Sequence, residues 1–351
     1  DRPLDTNFKE IYEVKKRYPD HAVVVSLMLE SRAEWEEMIQ RAEDAGADGL
    51  ELNFGCPHGM CERGMGSSVG QEPAILEKIT RWAADCANTP VLVKLTPNIT
   101  DILDPGIAAV KGDASGLSLI NTIKSIIGVD LETLVPYPSV RDKSTNGGYC
   151  GPAVKPIALH MVAALARDPR IQIPISGIGG IGNWRDAAEF IALGATSVQV
   201  CTAVMHYGYR IVEDMLDGLS NYLDEMKMAS VSELTGRAIP HFTEWGELDL
   251  NYRVIPSIDA KKCIGCRLCY IACLDGAHQC IHVRQSPCSA YHGEPDHGKS
   301  ARAEIKPAVH HAADGKVPDW VPFVDESECV GCNLCHLVCP VPGCITMVEQ
   351  E

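Results

Sequence analysis

The chain has 351 residues, of which 46% are hydrophobic and 22% charged, and a formal net charge of −16. This is an ordinary globular composition with enough apolar material for two domains, and the acidic excess excludes nucleic acid and anionic membranes as partners, because both need a basic patch. There is no 18-residue apolar run and no basic, apolar leader at Asp1-Arg2-Pro3-Leu4, and half of the 16 cysteines fall in one repeated pattern, so a cytoplasmic protein in a reducing compartment is expected.

The chain opens on Asp1 and an amphipathic helix over 8–17, which predicts a fragment of a longer protein. A repeating unit follows, in which a short β-branched apolar run, a loop with Gly, Pro or Asn and an amphipathic stretch succeed one another. Strands are predicted over 22–29, 49–54, 91–96, 116–122, 173–178 and 197–202. Helices are predicted over 31–45, 73–87, 102–111, 155–167, 184–193 and 208–225. That alternation is the sequence form of a parallel sheet with crossover helices, and the expected fold is a (β/α)8 TIM barrel whose first strands are missing. An open six-stranded sheet is the competing architecture.

Polar residues collect at the predicted strand ends, where such barrels carry their chemistry. Asn53 ends the second strand and leads into Gly55-Cys56-Pro57-His58-Gly59-Met60-Cys61, the start of a glycine- and methionine-rich loop. A thiol at Cys56 suits a nucleophile or a proton donor, against the bland alternative of a buried, inert cysteine; Cys61 is a weaker substitute for it. Lys94 is a single charge in an apolar run and needs an anion, either a bound group or a carboxylate on a neighbouring strand. Asn121 and Asn53 offer two amides for a planar heterocycle, although either alone is more often a turn residue. Gly151 permits close backbone approach to a ring. The segments Gly177-Ile178-Gly179-Gly180-Ile181 and Gln199-Val200-Cys201-Thr202 end the last two strands, where backbone N–H groups bind phosphate in these barrels. Simple tight turns are the alternative.

Two runs near the C-terminus share one spacing, Cys263-x2-Cys266-x2-Cys269-x3-Cys273 and Cys329-x2-Cys332-x2-Cys335-x3-Cys339-Pro340. That is the ligand pattern of two [4Fe–4S] clusters, in which the fourth cysteine of each run crosses to the other cluster. Cys263, Cys266, Cys269 and Cys339 are assigned to one cluster, and Cys329, Cys332, Cys335 and Cys273 to the second. Zinc favours separated Cys-x2-Cys pairs and fits a third cysteine at the same interval poorly. Residues 1–228 are thus expected to be a partial barrel, 229–255 a linker and 256–351 a small α+β ferredoxin-like domain. A long insertion at about 280–322 holds Cys280, Cys288 and His310-His311 without a ligand spacing, and is expected to be a solvated surface segment.

The run from Asn53 to Met60, the segment Lys94-Leu95-Thr96-Pro97-Asn98, the glycines of 177–181 and the two cysteine runs, in this order, resemble the dihydropyrimidine dehydrogenases. The resemblance extends nearly end to end, to bacterial NAD-dependent members that join a dihydroorotate dehydrogenase-like barrel to a two-cluster ferredoxin tail. It implies FMN over the strand ends. Lys94, Gly151, Gly180 and Thr202 match FMN-contacting positions, with Gly179 and Cys201 beside them. Asn53, Asn121 and Thr122 match pyrimidine contacts, and Cys56 matches the general acid. The implied reaction is reduction of the 5,6 double bond of uracil or thymine, with hydride from FMN to C6 and a proton from Cys56 to C5. No Rossmann fingerprint is present, so FAD and the NAD(P)H site are expected on a partner subunit. Gly55 departs from the family, whose members commonly carry a serine there. The rival readings are a dihydroorotate dehydrogenase with fused clusters and a non-enzymatic electron carrier, which would bind no flavin.

Overall fold

The computed structural model describes residues 2–57, 64–249, 251–276, 278–285 and 320–350. Two compact units divide the chain, Asp1–Thr243 and Glu244–Glu351.

Helix α1 (Leu4–Arg17) precedes a parallel sheet whose six strands lie side by side in chain order. These are β1 (Val24–Leu27), β2 (Gly49–Asn53), β3 (Val91–Lys94), β4 (Gly116–Leu119), β9 (Ile175–Ile178) and β10 (Ser197–Gln199). Strictly sequential order is what a (β/α) barrel requires, whereas a doubly wound open sheet reverses direction at a switch point. The crossover helices are α2 (Arg32–Asp44), α3 (Ser67–Gly70) with α4 (Pro73–Cys86), α5 (Leu103–Lys111), α6 (Lys155–Arg167) and α7 (Trp184–Ala192).

Local chemistry places the helix starts. The Ser31 hydroxyl accepts from the Glu34 N–H while the Glu34 carboxylate accepts from the Ser31 N–H, a reciprocal capping box for α2. Asn183 and Asp186 do the same for α7, and Pro73 opens α4 with the fixed φ that suits a first helical position. The core lies between helices and sheet: Trp35 and Ile39 of α2, Leu76 of α4, Leu165 of α6 and Phe190 of α7 pack with Leu50, Leu52, Val93, Leu117 and Leu119. All five strand residues have no exposed surface. Their neighbours at odd spacing face the other way, and that alternation builds the site.

Between β4 and α6 the chain makes an excursion that the apolar pattern did not announce. Short strands β5 (Ile123–Ser125) and β8 (Gly147–Tyr149) pair antiparallel, as do β6 (Gly128–Val129) and β7 (Pro136–Tyr137). After β10 come α8 (Thr202–Tyr207) and α9 (Ile211–Glu225). The first part of the expected linker packs on this unit: Leu234, like Met228 just before the linker, is buried with Ala188 and Ile191 of α7, and the N–H groups of Gly236 and Ala238 donate to the carbonyls of Ile191 and Ala192 at 3.0 and 2.9 Å.

The second unit is an internal repeat. Antiparallel pairs join β11 (Val254–Ile258) to β14 (Ile345–Glu349) and β12 (Ile281–Gln285) to β13 (Trp320–Val324). After β11 and β13 each chain enters a cysteine run and a short helix, α10 (Leu268–Asp275) or α11 (Leu334–Leu337). Most of the expected insertion, with Cys288, His310 and His311, lies outside the described residues, as does Cys61.

Candidate active site and cluster cavities

Glu51 and Asn53 of β2, Lys94 of β3, Ser118 of β4, Ser176 of β9 and Gln199 of β10 occupy the strand face opposite the helices. Glu51 is buried, and its two oxygens organise this layer. Lys94 Nζ donates to Glu51 Oε1 at 3.2 Å and to Gln199 Oε1 at 3.4 Å. Ser118 Oγ and Gln199 Nε2 donate to Glu51 Oε2 at 2.8 and 3.0 Å. The lysine that the sequence isolates thus has the carboxylate of a neighbouring strand, as one of its two expected partners. The network holds its ammonium by strand register.

A cavity of about 520 Å³ opens beside this layer, at the C-terminal ends of β3, β4, β9 and β10. Sites for cofactors and small molecules run to roughly 300–1,000 Å³. Lys94, Asn121, Thr122, Gly151, Gly179, Gly180, Cys201 and Thr202 all line it. Gly180 has φ +77°, and a Cβ there would meet the Gly151 carbonyl oxygen at 2.8 Å and Lys155 Cβ at 2.9 Å, so only glycine lets these two turns close against each other. At the floor of the next turn Asp186 accepts from the N–H groups of Gly182 and Asn183 at 2.8 and 3.2 Å. Its other oxygen receives Lys155 Nζ at 2.6 Å. The Asp186 and Glu189 carboxylates hold the Lys155 ammonium above the ordinary lysine value.

Asn53 and Cys56 do not line the cavity; they stand next to it through Asn121. Asn121 Nδ2 donates to Asn53 Oδ1 at 3.0 Å, and the same oxygen accepts from the N–H groups of Gly55 and Cys56 at 3.3 and 3.2 Å. The Cys56 carbonyl in turn accepts from Ser67 N–H at 2.9 Å. A half-buried thiol is therefore carried on a backbone tied at both ends. Asn98, quoted in the sequence only as part of a motif, donates through Nδ2 to the Thr122 carbonyl and to Thr96 Oγ1, both at 3.1 Å, and so fixes the turn that presents Asn121 and Thr122.

In the second unit Cys263, Cys266, Cys269 and Cys339 line one cavity, and Cys273, Cys329, Cys332 and Cys335 line another. The partition is crossed, with the last cysteine of each run standing among the first three of the other. Gly265 and Arg267, and equally Gly331 and Asn333, take positive φ between 64° and 72°, which curls each loop around its cavity. Among the described residues no three Cys, His, Asp or Glu side chains converge on a point that a single ion could occupy. The sulfurs line the cavity walls, where they could hold an iron–sulfur cluster. Burial pushes the Cys269 thiol up to about 12 and the Cys335 thiol up to about 11. Metal loading has to displace those protons.

The family described as dihydroorotate dehydrogenase matches residues 3–223, the whole of the sheet and its helices, and a 4Fe-4S binding domain matches residues 322–342. The chain belongs to the dihydroorotate dehydrogenase family. It is 45% identical over 282 residues to the NAD-dependent dihydropyrimidine dehydrogenase subunit PreA of Escherichia coli (strain K12), a match covering 80% of this chain and 68% of that one. It is 44% identical over 267 residues to the chloroplastic dihydropyrimidine dehydrogenase (NADP(+)) of Arabidopsis thaliana, covering 75% and 62%. The catalytic subunit of dihydroorotate dehydrogenase B (NAD(+)) of Pyrococcus furiosus is 39% identical over 226 residues, covering 64% and 72%. This member of the family is an oxidoreductase that joins a barrel to an iron–sulfur unit. Gly55, its departure from the expected serine, has a structural counterpart. A Cβ at position 55 would lie 2.4 Å from Asn121 Cβ and 2.8 Å from Asn121 Nδ2, so in this family member the Asn53–Asn121 bond depends on the missing side chain.

Among the described residues no helix is long and apolar enough to cross a membrane.

Proposed function

We propose that this chain is the catalytic part of a dihydropyrimidine dehydrogenase, reducing the 5,6 double bond of uracil or thymine with electrons from NAD(P)H bound, with FAD, on a partner subunit. The observation that carries the reading is the amide pair Asn53–Asn121, fixed at the ends of β2 and β4 with the Cys56 backbone on the same oxygen. The amide oxygens are held by the N–H groups of Gly55, Cys56 and Thr122, which turns the amide nitrogens into the groups that can donate to the carbonyls of a pyrimidine edge. FMN, when bound, supplies hydride at C6, and two [4Fe–4S] clusters supply the electrons that keep it reduced. Cys56 gives its proton to C5, where charge accumulates as C6 is reduced. Lys94, aimed by Glu51 and Gln199, would stabilise negative charge on the flavin ring. Thr122 borders the pyrimidine beside Asn121. Gly151, Gly179 and Gly180 would allow the backbone to approach FMN, and Cys201 and Thr202, which line the same cavity, would hold its phosphate. The N–H groups of Gly182 and Asn183 are committed to Asp186, so phosphate contact falls to residues 179–180 and 201–203.

The lysines of the cavity favour an uncharged pyrimidine over a carboxylated one. Lys155 is paired with Asp186 and Glu189, and Lys94 is assigned to the flavin, so neither is a spare cation for a substrate carboxylate. The test is anaerobic co-expression with the FAD subunit, following NADH and NADPH oxidation with uracil, thymine and orotate. Oxidation driven by uracil or thymine is the expected result. A response to orotate alone overturns the substrate, and a protein that binds no flavin overturns the enzyme. Gly180→Ala is expected to release FMN, measured as flavin fluorescence after denaturation, because its Cβ meets the backbone carbonyl of Gly151 and φ +77° is strained for alanine. Iron content is expected to stay at the level of the unmodified chain.

A further inference from the structure

Cys56 is followed by a proline, and the backbone polar groups of this pair are each met by a different part of the fold. The Cys56 N–H donates to Asn53 Oδ1 at 3.2 Å, at the end of β2, and the Cys56 carbonyl accepts from the Ser67 N–H at 2.9 Å, at the start of α3. The Pro57 carbonyl accepts from Asn146 Nδ2 at 2.9 Å, across 89 residues of chain. Pro57 is buried and Asn146 half-buried. Because proline has no N–H of its own, these three bonds cover every backbone donor and acceptor of the pair.

Turn asparagines usually bond to their own neighbouring backbone. Asn146 instead reaches a distant carbonyl, from a strand that belongs to the site. It immediately precedes β8, whose residues Gly147, Gly148 and Tyr149 pair with Ser125, Lys124 and Ile123 of β5. β5 begins directly after Thr122. A Cβ at Gly148 would lie 2.2 Å from Thr122 Oγ1 and 2.7 Å from Thr122 Cβ, so the glycine seats β8 against the Thr122 side chain. The Lys124 N–H donates to Asn98 Oδ1 at 2.8 Å, which secures β5 in turn. From β8 the chain runs through Tyr149, Cys150 and Gly151, all in the wall of the large cavity. Asn146 therefore extends the order of the cavity wall to the peptide beside the thiol.

The constraint reaches the thiol through the backbone. Peptide units are planar, and the Pro57 ring locks its own φ. Between the tie at the Pro57 carbonyl and the Cys56–Pro57 peptide only the ψ torsion of Pro57 is left. With Asn53 and Ser67 bonded to the two peptides that flank Cys56, its Cα–Cβ bond has little freedom to turn.

We propose that Asn146 is a positioning residue for proton delivery: its bond to Pro57 holds the loop so that the Cys56 thiol faces C5 of the pyrimidine. The inference rests on Cys56 as the general acid of the proposed function. Asn146 itself neither gives nor takes the proton.

The experiment uses the full chain with its clusters, in complex with the FAD subunit, and compares it with Asn146→Ala and Asn146→Asp; aspartate keeps the shape and loses the N–H donors. Both variants are expected to retain flavin and iron and to lower kcat for uracil by about 10–100-fold, the scale of loss from a misplacement of about 1 Å, with KM nearly unchanged. In a Cys56→Ala background the same substitutions are expected to cost nothing more, because a residue that acts through the thiol then has nothing to aim. A second readout needs no turnover. Alkylation of Cys56 by iodoacetamide, followed by mass spectrometry of its peptide, is expected to speed up several-fold in both variants as the half-buried thiol is released. An unchanged kcat, an effect on KM alone, or an equal loss with and without the thiol each overturns the proposal, and so does an unchanged alkylation rate. If the unmodified complex is inert toward uracil and thymine, the proposed function fails and the role in proton delivery with it; faster alkylation would then show only that Asn146 holds the loop.

Discussion

Cys56→Ala is expected to lower turnover by about 10²–10⁴-fold, the usual contribution of a positioned general acid, while flavin and iron stay at the level of the unmodified protein. Two of the contacts that hold its surroundings do not involve the thiol. The Cys56 N–H donates to Asn53 Oδ1 and its carbonyl accepts from Ser67, and both are backbone contacts that alanine keeps. Retained cofactors with lost turnover therefore isolate proton delivery from binding. Cys56→Ser refines the test, because a hydroxyl fits the space but gives up its proton far less readily than a thiol. Serine is expected to leave a small residual rate, which rises as pH falls if solvent or another acid supplies the proton instead. Uracil reduction at the unmodified rate in the alanine variant would remove Cys56 from the chemistry and return attention to the loop that follows Pro57.

The strands of the parallel sheet were legible because buried parallel strands are written as short β-branched apolar runs, and each of these six falls inside its predicted span. The excursion at β5 to β8 was not. Its strands are two or three residues long and half exposed, too short for alternation to register. Most of the candidate site could be named from strand ends alone, since barrels put chemistry there. Glu51 was missed although a signal existed. It is an acid inside the apolar strand Gly49–Asn53, two residues before Asn53 and so on the same face. A charge buried in a strand requires a partner, and the isolated Lys94 on the next strand was the matching half. Gly55 could be seen as unusual in the sequence, but its reason, the side chain of Asn121, is a contact between strands.

Lys94→Met is expected to destabilise the barrel unit by about 3 kcal/mol, the lower end of what removing one partner of a buried ion pair costs. Glu51 is 7% exposed and would be left without its cation, but Ser118 and Gln199 still donate to Oε2, which keeps the penalty at the low end. At roughly 2–4 °C per kcal/mol for a unit of this size, the barrel transition should melt some 6–12 °C earlier by calorimetry. The double variant Lys94→Met, Glu51→Gln removes the orphaned charge while keeping an amide that can bond to its neighbours, and is expected to regain most of that loss. The pair also separates two roles for the lysine. If Lys94 serves only to neutralise Glu51, the repaired double variant should turn over normally. If it also stabilises charge on the flavin, the double variant should be stable, flavin-loaded and slow. The second outcome is expected, because the lysine lines the cavity while Glu51 and Gln199 hold it from behind, an arrangement that fixes a cation in place ahead of the charge it is to meet.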